Sequence, residues 1–238
     1  WPEWGDIRPV GAAVDQIAVV EQSTRRGTPF ETPFTNFTYH GWPARTGTIQ
    51  QNANYRASLS YVTGSHNLKA GFQGAYMIAK TPSFVGQQIS YRVNNGVPNQ
   101  LTQRIGESLS SNRVVPAAFY LQDQWTQGRL TLEGGVRYEH VRSFFPEGEN
   151  GYEAHRFGPG FQFPRTEGVR GYNDITPRLG GAYDLFGNGR TAVKVSMSKY
   201  LQAAYSGEAY TVDNPAVTLV QTTSRGWWHA NRNWVAEC

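Results

Sequence analysis

A chain of 238 residues, 39% hydrophobic and 17% charged, can hold one all-β domain or two smaller ones. It has no run of about 18 apolar residues, and a mean hydropathy of -0.53 excludes a helical membrane protein, though not a strand-built one whose alternate residues meet lipid. The net charge of +4 comes from scattered basic residues, many of them beside Asp or Glu, a pattern that argues against a nucleic-acid partner.

Gly 26, Tyr 13, Phe 12 and Trp 7 favour strands over helices. The chain opens on WPEWGDIRPV, without an initiating Met or a signal peptide, and reads as a mature or excised segment. Cys238, the single cysteine, reads as half of a pair whose partner lies beyond the cut.

Residues 1–49 form a loop-rich segment with closely spaced Pro and Gly and one candidate strand, Val14 to Val20. The clearest signal follows, from Asn52 to Met77. Ala53, Tyr55, Ala57, Leu59 and Tyr61 alternate with polar residues, and Leu68, Ala70, Phe72, Gly74 and Tyr76 resume the alternation beyond a turn. A two-residue turn at Gly64-Ser65 sets Thr63 opposite His66, Tyr61 opposite Leu68 and Tyr55 opposite Gly74.

Lys80 to Arg113 reads as a long excursion carrying a polar hairpin, ISYRV-NNG-VPNQLTQRI. Its Pro98 points to a loop decoration or an edge. A third unit, AAFYLQDQW-TQGR-LTLEGGVRYEHVRSFF, turns at Gln127-Gly128, which pairs Trp125 with Leu130, Leu121 with Gly134 and Ala117 with Tyr138. Asp123 is the misfit on its apolar face. Pro146 to Asn173 reads as loop. In the fourth unit a turn at Gly187-Asn188-Gly189 pairs Tyr183 with Val193, Gly181 with Val195 and Leu179 with Met197. The hairpins thus occupy 50–201, and 202–238 reads as a truncated outer loop.

The three amphipathic hairpins turn tightly at one end, while excursions of about 30 residues join them at the other, far beyond ordinary loop lengths. Outer-membrane barrels have this asymmetry, with short periplasmic turns and long outer loops. Tyr61, Trp125, Tyr183 and Phe186 near the turns, and Tyr76, Tyr138, Phe144, Phe145 and Tyr200 about ten residues on, fit two aromatic girdles. Alternation alone leaves a β-sandwich core open as well.

The blocks ASLSYVTGSHNLKAGFQGAY, YRVNNGVPNQLTQR, AAFYLQDQWTQGRLTLEGGVRYEH and NDITPRLGGAYDLFGNGRTAVKVSMSKYLQAA resemble, in this order, the barrel of Oar-like TonB-dependent outer-membrane receptors, which carry a carboxypeptidase-regulatory-like domain. The resemblance covers about residues 50–238. It implies a barrel of about 22 strands, an internal plug, TonB as energy source, and outer-membrane lipid and a nutrient ligand as partners. About six strands are legible, fewer than the eight of the smallest closed barrels. The expectation is therefore all-β: a partial antiparallel up-and-down transmembrane barrel, part of a larger receptor.

No GxSxG, HExxH, CxxC or phosphate-binding glycine loop occurs, and neither an enzyme activity nor a cofactor is expected. Glu133 and Glu139 share a strand face with Arg137; the Arg keeps such carboxylates ionised, so a charge ladder on a wet lumen is preferred to an acid–base pair. Arg56, Lys69, Gln73, Arg178 and Lys194 are assigned to that lumen with them. WWHANRNWVAEC resembles the family pattern W-x-D-A-N-x-N-x-x-x-D-C, whose oxygen ligands would suit calcium. Here His229 replaces the first acidic position and leaves Asn231, Asn233 and Glu237, so no metal is assigned. Trp227 and Trp228 either stack on a ligand or pack under their loop. The alternative from another class is a soluble β-rich hydrolase or binding domain, which requires a histidine such as His140 beside a Ser and a carboxylate.

Overall fold

The computed structural model describes residues 16–22, 37–41, 44–151, 159–219 and 221–228. Strict alternation makes strands of nearly every legible segment. In chain order these are β1 (Ala18–Glu21), β2 (Phe37–Tyr39), β3 (Arg45–Thr46), β4 (Ile49–Thr63), β5 (His66–Phe84), β6 (Ile89–Asn94), β7 (Val97–Arg104), β8 (Ser108–Gln127), β9 (Leu130–Phe145), β10 (Gly148–Asn150), β11 (Phe161–Phe163), β12 (Thr166–Asp184), β13 (Ala192–Ser198) and β14 (Thr222–Gly226).

Half of them, including the longest, build one curled antiparallel wall in the order β13-β12-β9-β8-β5, with β4 and β3 following one another along the far edge. The wall is therefore six strands wide, through β4, β5, β8, β9, β12 and β13. The expected all-β partial barrel is what the chain forms.

The first hairpin has the expected register, from Thr63 opposite His66 to Tyr55 opposite Gly74. The third does not. Its turn is Gly128-Arg129, which sets Gln127 opposite Leu130, Trp125 opposite Leu132 and Ala117 opposite His140. The reason lies in the turn: a two-residue loop with positive φ at its first position alone wants glycine there. Gly64 (φ 54) and Gly128 (φ 58) both take that position. The shift of two residues leaves every side chain on its expected face. The fourth hairpin pairs as expected, but its loop is wider than three residues. Leu185 N–H donates to the Thr191 carbonyl at 3.0 Å, and the Asp184 carboxylate accepts from the N–H groups of Gly189 (2.8 Å), Gly187 (3.0 Å) and Phe186 (3.3 Å).

The long excursions are partly strand. β5 runs on to Phe84, β8 begins at Ser108 and β12 at Thr166, so the wall rises well past the apolar alternation. The polar hairpin, with its turn at Asn95-Gly96, belongs to a second sheet, β14-β7-β6-β1-β2, in which β1 and β6 are parallel. Pro98 is thus not on an edge strand. It sits at a register shift, before the Gln100–Arg104 stretch that pairs with β14, and so removes no ladder bond there. Ile89, Leu101 and Trp227 form this sheet's core, with Ile17 and Tyr91 against them. The residues after Ala203, read from sequence as loop, contain a short helix, α1 (Pro215–Thr218), as well as β14. Val14 and Asp15, at the start of the candidate strand, lie outside the described residues.

The two faces of the wall differ. One is bare: Leu59, Phe119, Leu121, Val136, Leu179 and Val195 stand exposed along it. The other is covered in its upper half by residues 201–219, beneath which Ala75, Val114, Ala118, Val141 and Thr176 are buried.

Candidate functional site

Ladder pairing brings the predicted polar residues to the covered face. Arg56 lies opposite Gln73, Gln73 opposite Ala118, Ala118 opposite Glu139. Lys69 leads through Gln122 and Gly135 to Arg178. Glu133 reaches Gly180 and Ser196, and Lys194 lies beside Ala182 on the same side.

Within this face Arg137 Nε donates to Glu139 Oε1, and both side chains are 16% exposed. The Gln73 amide oxygen, turned toward Arg137, accepts from its two terminal nitrogens at 2.5 and 3.1 Å. Arg137 thus links Glu139 to Gln73 across β9, β8 and β5, and Glu133 stands apart from that link. A cavity of about 580 Å³ lies between these residues and the crossing segment, bounded by Arg56, Gln73, Arg137, Glu139, Tyr172 and Ala203. Nearer the short turns a smaller one, about 240 Å³, lies among Lys69, Tyr120, Glu133 and Arg178. Such a surface of fixed cations, carboxylates and amides can hydrogen-bond a polar solute at many points.

The crossing segment is tied down by one residue that sequence reasoning missed. Asn214, 1% exposed, caps α1 by accepting from Ala216 N–H at 2.9 Å. Its amide donates to Asn112 Oδ1 (2.7 Å), Ser110 Oγ (3.1 Å) and the Ser111 carbonyl (3.3 Å) on β8. The signal was present: Asn-Pro at 214–215 is a helix start, with a cap followed by Pro at the first position. Lys199 adds an ion pair to Asp174 at 2.5 Å. Tyr210, which packs against the Val114–Val141–Ala204 cluster, has its phenol pKa raised by burial.

Asp123 finds its partner on the bare face. His66 Nδ1 lies 2.6 Å from Asp123 Oδ2, between β5 and β8 close to the turns. No hydroxyl or thiol of the described residues hydrogen-bonds this imidazole, so the pair lacks a nucleophile. His140 lies on the bare face opposite Ala117 and Asn173, with no Ser beside it on those rungs. The hydrolase alternative thus finds no constellation there.

Trp227 packs in the core of the second sheet, 4.4 Å from Tyr91 between ring centroids; Trp228 is 71% exposed. His229, Asn231, Asn233, Glu237 and Cys238 lie outside the described residues. Among the described residues no group of three His, Cys, Asp or Glu could hold a metal ion.

The family described as TonB dependent receptor-like, beta-barrel, matches residues 15–227. A search of the curated proteins and one of the solved structures found no match. With nearly the whole chain matched and an open antiparallel wall as its fold, this protein belongs to the TonB-dependent receptor-like β-barrel family.

Proposed function

We propose that this chain forms part of the barrel wall of a TonB-dependent receptor in the outer membrane of a Gram-negative cell, and that the receptor takes up a nutrient without catalysing a reaction. The observation that carries this is the division of one sheet into two unlike faces. Large apolar side chains stand exposed on one side, at 74% for Leu59 and 71% for Val195, while the other carries the charges and amides. The bare face is assigned to lipid. Its apolar stretch, Leu68 to Tyr76 on β5 and Ala117 to Trp125 on β8, runs about nine residues, and at about 3.4 Å per residue and a tilt of about 40° it spans about 23 Å, close to the apolar band of such barrels.

The covered face is assigned to the lumen. Arg56, Lys69, Gln73, Glu133, Arg137, Glu139, Arg178 and Lys194 line it there, and a polar ligand passes along them. Trp228 offers an exposed aromatic face to a ligand entering from outside. The block resemblance supports an Oar-like receptor, with a plug inside the barrel and TonB supplying energy. The two free wall edges, β4 and β13, pair with the other strands of that barrel.

The test is uptake by the intact receptor. Cells lacking the receptor, and cells lacking TonB, are compared with wild type for depletion of a panel of bulky solutes: siderophores, glycans and peptides. Loss of one solute's uptake in both mutants is expected. Unchanged depletion of every solute, from a receptor that still fractionates with the outer membrane, would remove the transport reading.

A further inference from the structure

Beyond the apolar band the bare face changes chemistry. Lys80, Arg113, Arg142 and Arg170 stand on it with His140, on rungs just past Tyr76 and Tyr138, and Arg165 lies 4.4 Å over the Phe144 ring of the same face. The carboxylate on these rungs is Glu167, already paired with Arg165 at 2.8 Å. Lys80, Arg142 and Arg170 are exposed and have no ion-pair partner among the described residues.

The decisive arrangement is Arg142 directly opposite Arg170 on the β9–β12 ladder. Like charges so placed repel each other, and the chain departs from regular pairing to place them so. The β12 register slips twice, between Glu167 and Arg170 and again between Arg170 and Asn173. An unbroken register from Glu167 would set Val169 opposite Arg142 and turn Arg170 to the covered face. With the bulges, Glu167, Arg170 and Asn173 come to the bare face, while Gly168 and Gly171 turn inward. A Cβ at Gly168 would collide with Ser143 Oγ, and one at Gly171 with Val141. Bulges commonly re-aim a side chain toward a site. Here the re-aimed side chain makes a two-guanidinium fork.

A fork of two arginines suits the oxygens of a phosphate, which accepts paired N–H bonds and relieves the repulsion. Its depth selects the source. Arg142 lies four residues past Tyr138, about 10 Å further along the membrane normal, at the level of lipid headgroups. We propose that this cluster binds the phosphate groups of an anionic outer-leaflet lipid, with Arg142 and Arg170 flanking one phosphate. The assignment rests on the reading of the bare face as lipid-facing.

The test uses the full-length receptor in phosphatidylcholine nanodiscs doped with diphosphoryl lipid A or its dephosphorylated form, with retained lipid counted by native mass spectrometry. Wild type retains the diphosphoryl form preferentially, and Arg142→Gln with Arg170→Gln lowers that preference on the order of tenfold. Arg142→Lys with Arg170→Lys, which keeps the charge but loses the paired N–H geometry, falls between the two. Equal retention of both lipids by wild type, or an unchanged preference in the glutamine variant, overturns the proposal. So does binding of inorganic phosphate with no discrimination between the lipids, because the fork then takes a free anion. A spin label at Leu121→Cys, in a receptor whose native cysteines are replaced by Ser, separates two kinds of failure. If the label meets oxygen dissolved in lipid, the phosphate assignment alone has failed; if it does not, the lipid-facing reading falls with it.

Discussion

The wall and the second sheet obey the same period-two code and use it in opposite ways. In the second sheet Val93, Leu101 and Trp227 are at most 6% exposed, as in an ordinary core in water. In the wall, Leu59, Val195 and Met197 are 68–74% exposed on a face that carries large apolar side chains strand after strand, the kind of surface that marks an interaction or membrane site. The difference teaches that alternation fixes which residues share a face and says nothing of the medium it meets. Burial within the chain completes one sheet. Only a bilayer or a missing partner completes the other.

The largest test of that contrast is at Trp227. Its truncation to Ala should cost the second sheet about 4 kcal/mol, so amide exchange should rise across β6 and β7 while β5 and β8 keep their protection. Equal loss in both sheets would show that they fold as one unit. Next is a charge on the bare face: Phe119→Arg should destabilise the receptor in lipid vesicles by about 3 kcal/mol, read from urea unfolding. The same change at Tyr120, one residue on and on the other face, should cost much less. If the two agree, the faces are not in different media.

A smaller effect is expected at Asn214. Replacement by Ala removes both the α1 cap and the amide bonds to β8, worth about 2 kcal/mol together. Exchange should quicken over 201–219 and leave the wall strands unchanged. The smallest lies at Asp184, in the turn outside the membrane. The Gly189 N–H, and then those of Gly187 and Phe186, hold its carboxyl below the usual carboxylate range. A depressed pKa stabilises the turn above the unfolded value and loses that contribution as pH falls through the folded one. Order in 185–191, followed by NMR amide shifts, should therefore hold at neutral pH and fade in acid. Asp184→Asn should flatten that profile.

Much of this was legible in advance where contacts are local. The Gly64 and Gly187–Gly189 turns fix their registers, and the faces of Arg56, Lys69 and Glu139 follow from parity alone. The Gly128 hairpin differs because the Gln127-Gly128 turn read from sequence lies one residue before the Gly128-Arg129 turn observed; parity preserves the faces but not the partners. Non-local features were out of reach. His66 beside Asp123 depends on the pairing of β5 with β8, which a long excursion separates in sequence. The bulges that carry Arg170 outward leave no alternation to read. Asn214 could be recognised as a cap, though not as an anchor, because its partners lie more than a hundred residues away.

As part of the proposed barrel, the two faces of β8 meet different media. Single cysteines at Ala117, Phe119 and Leu121, and at Ala118, Tyr120 and Gln122, placed in full-length receptor whose native cysteines are replaced by Ser and probed in isolated outer membranes, test it directly. Strict alternation is expected: the first set reacts with a lipid-soluble maleimide and resists a charged thiosulfonate, while Tyr120 and Gln122 react with the charged reagent and Ala118, buried under residues 201–219, resists both. Reaction of both sets with the charged reagent alone would contradict it, and the bare face would then be wet.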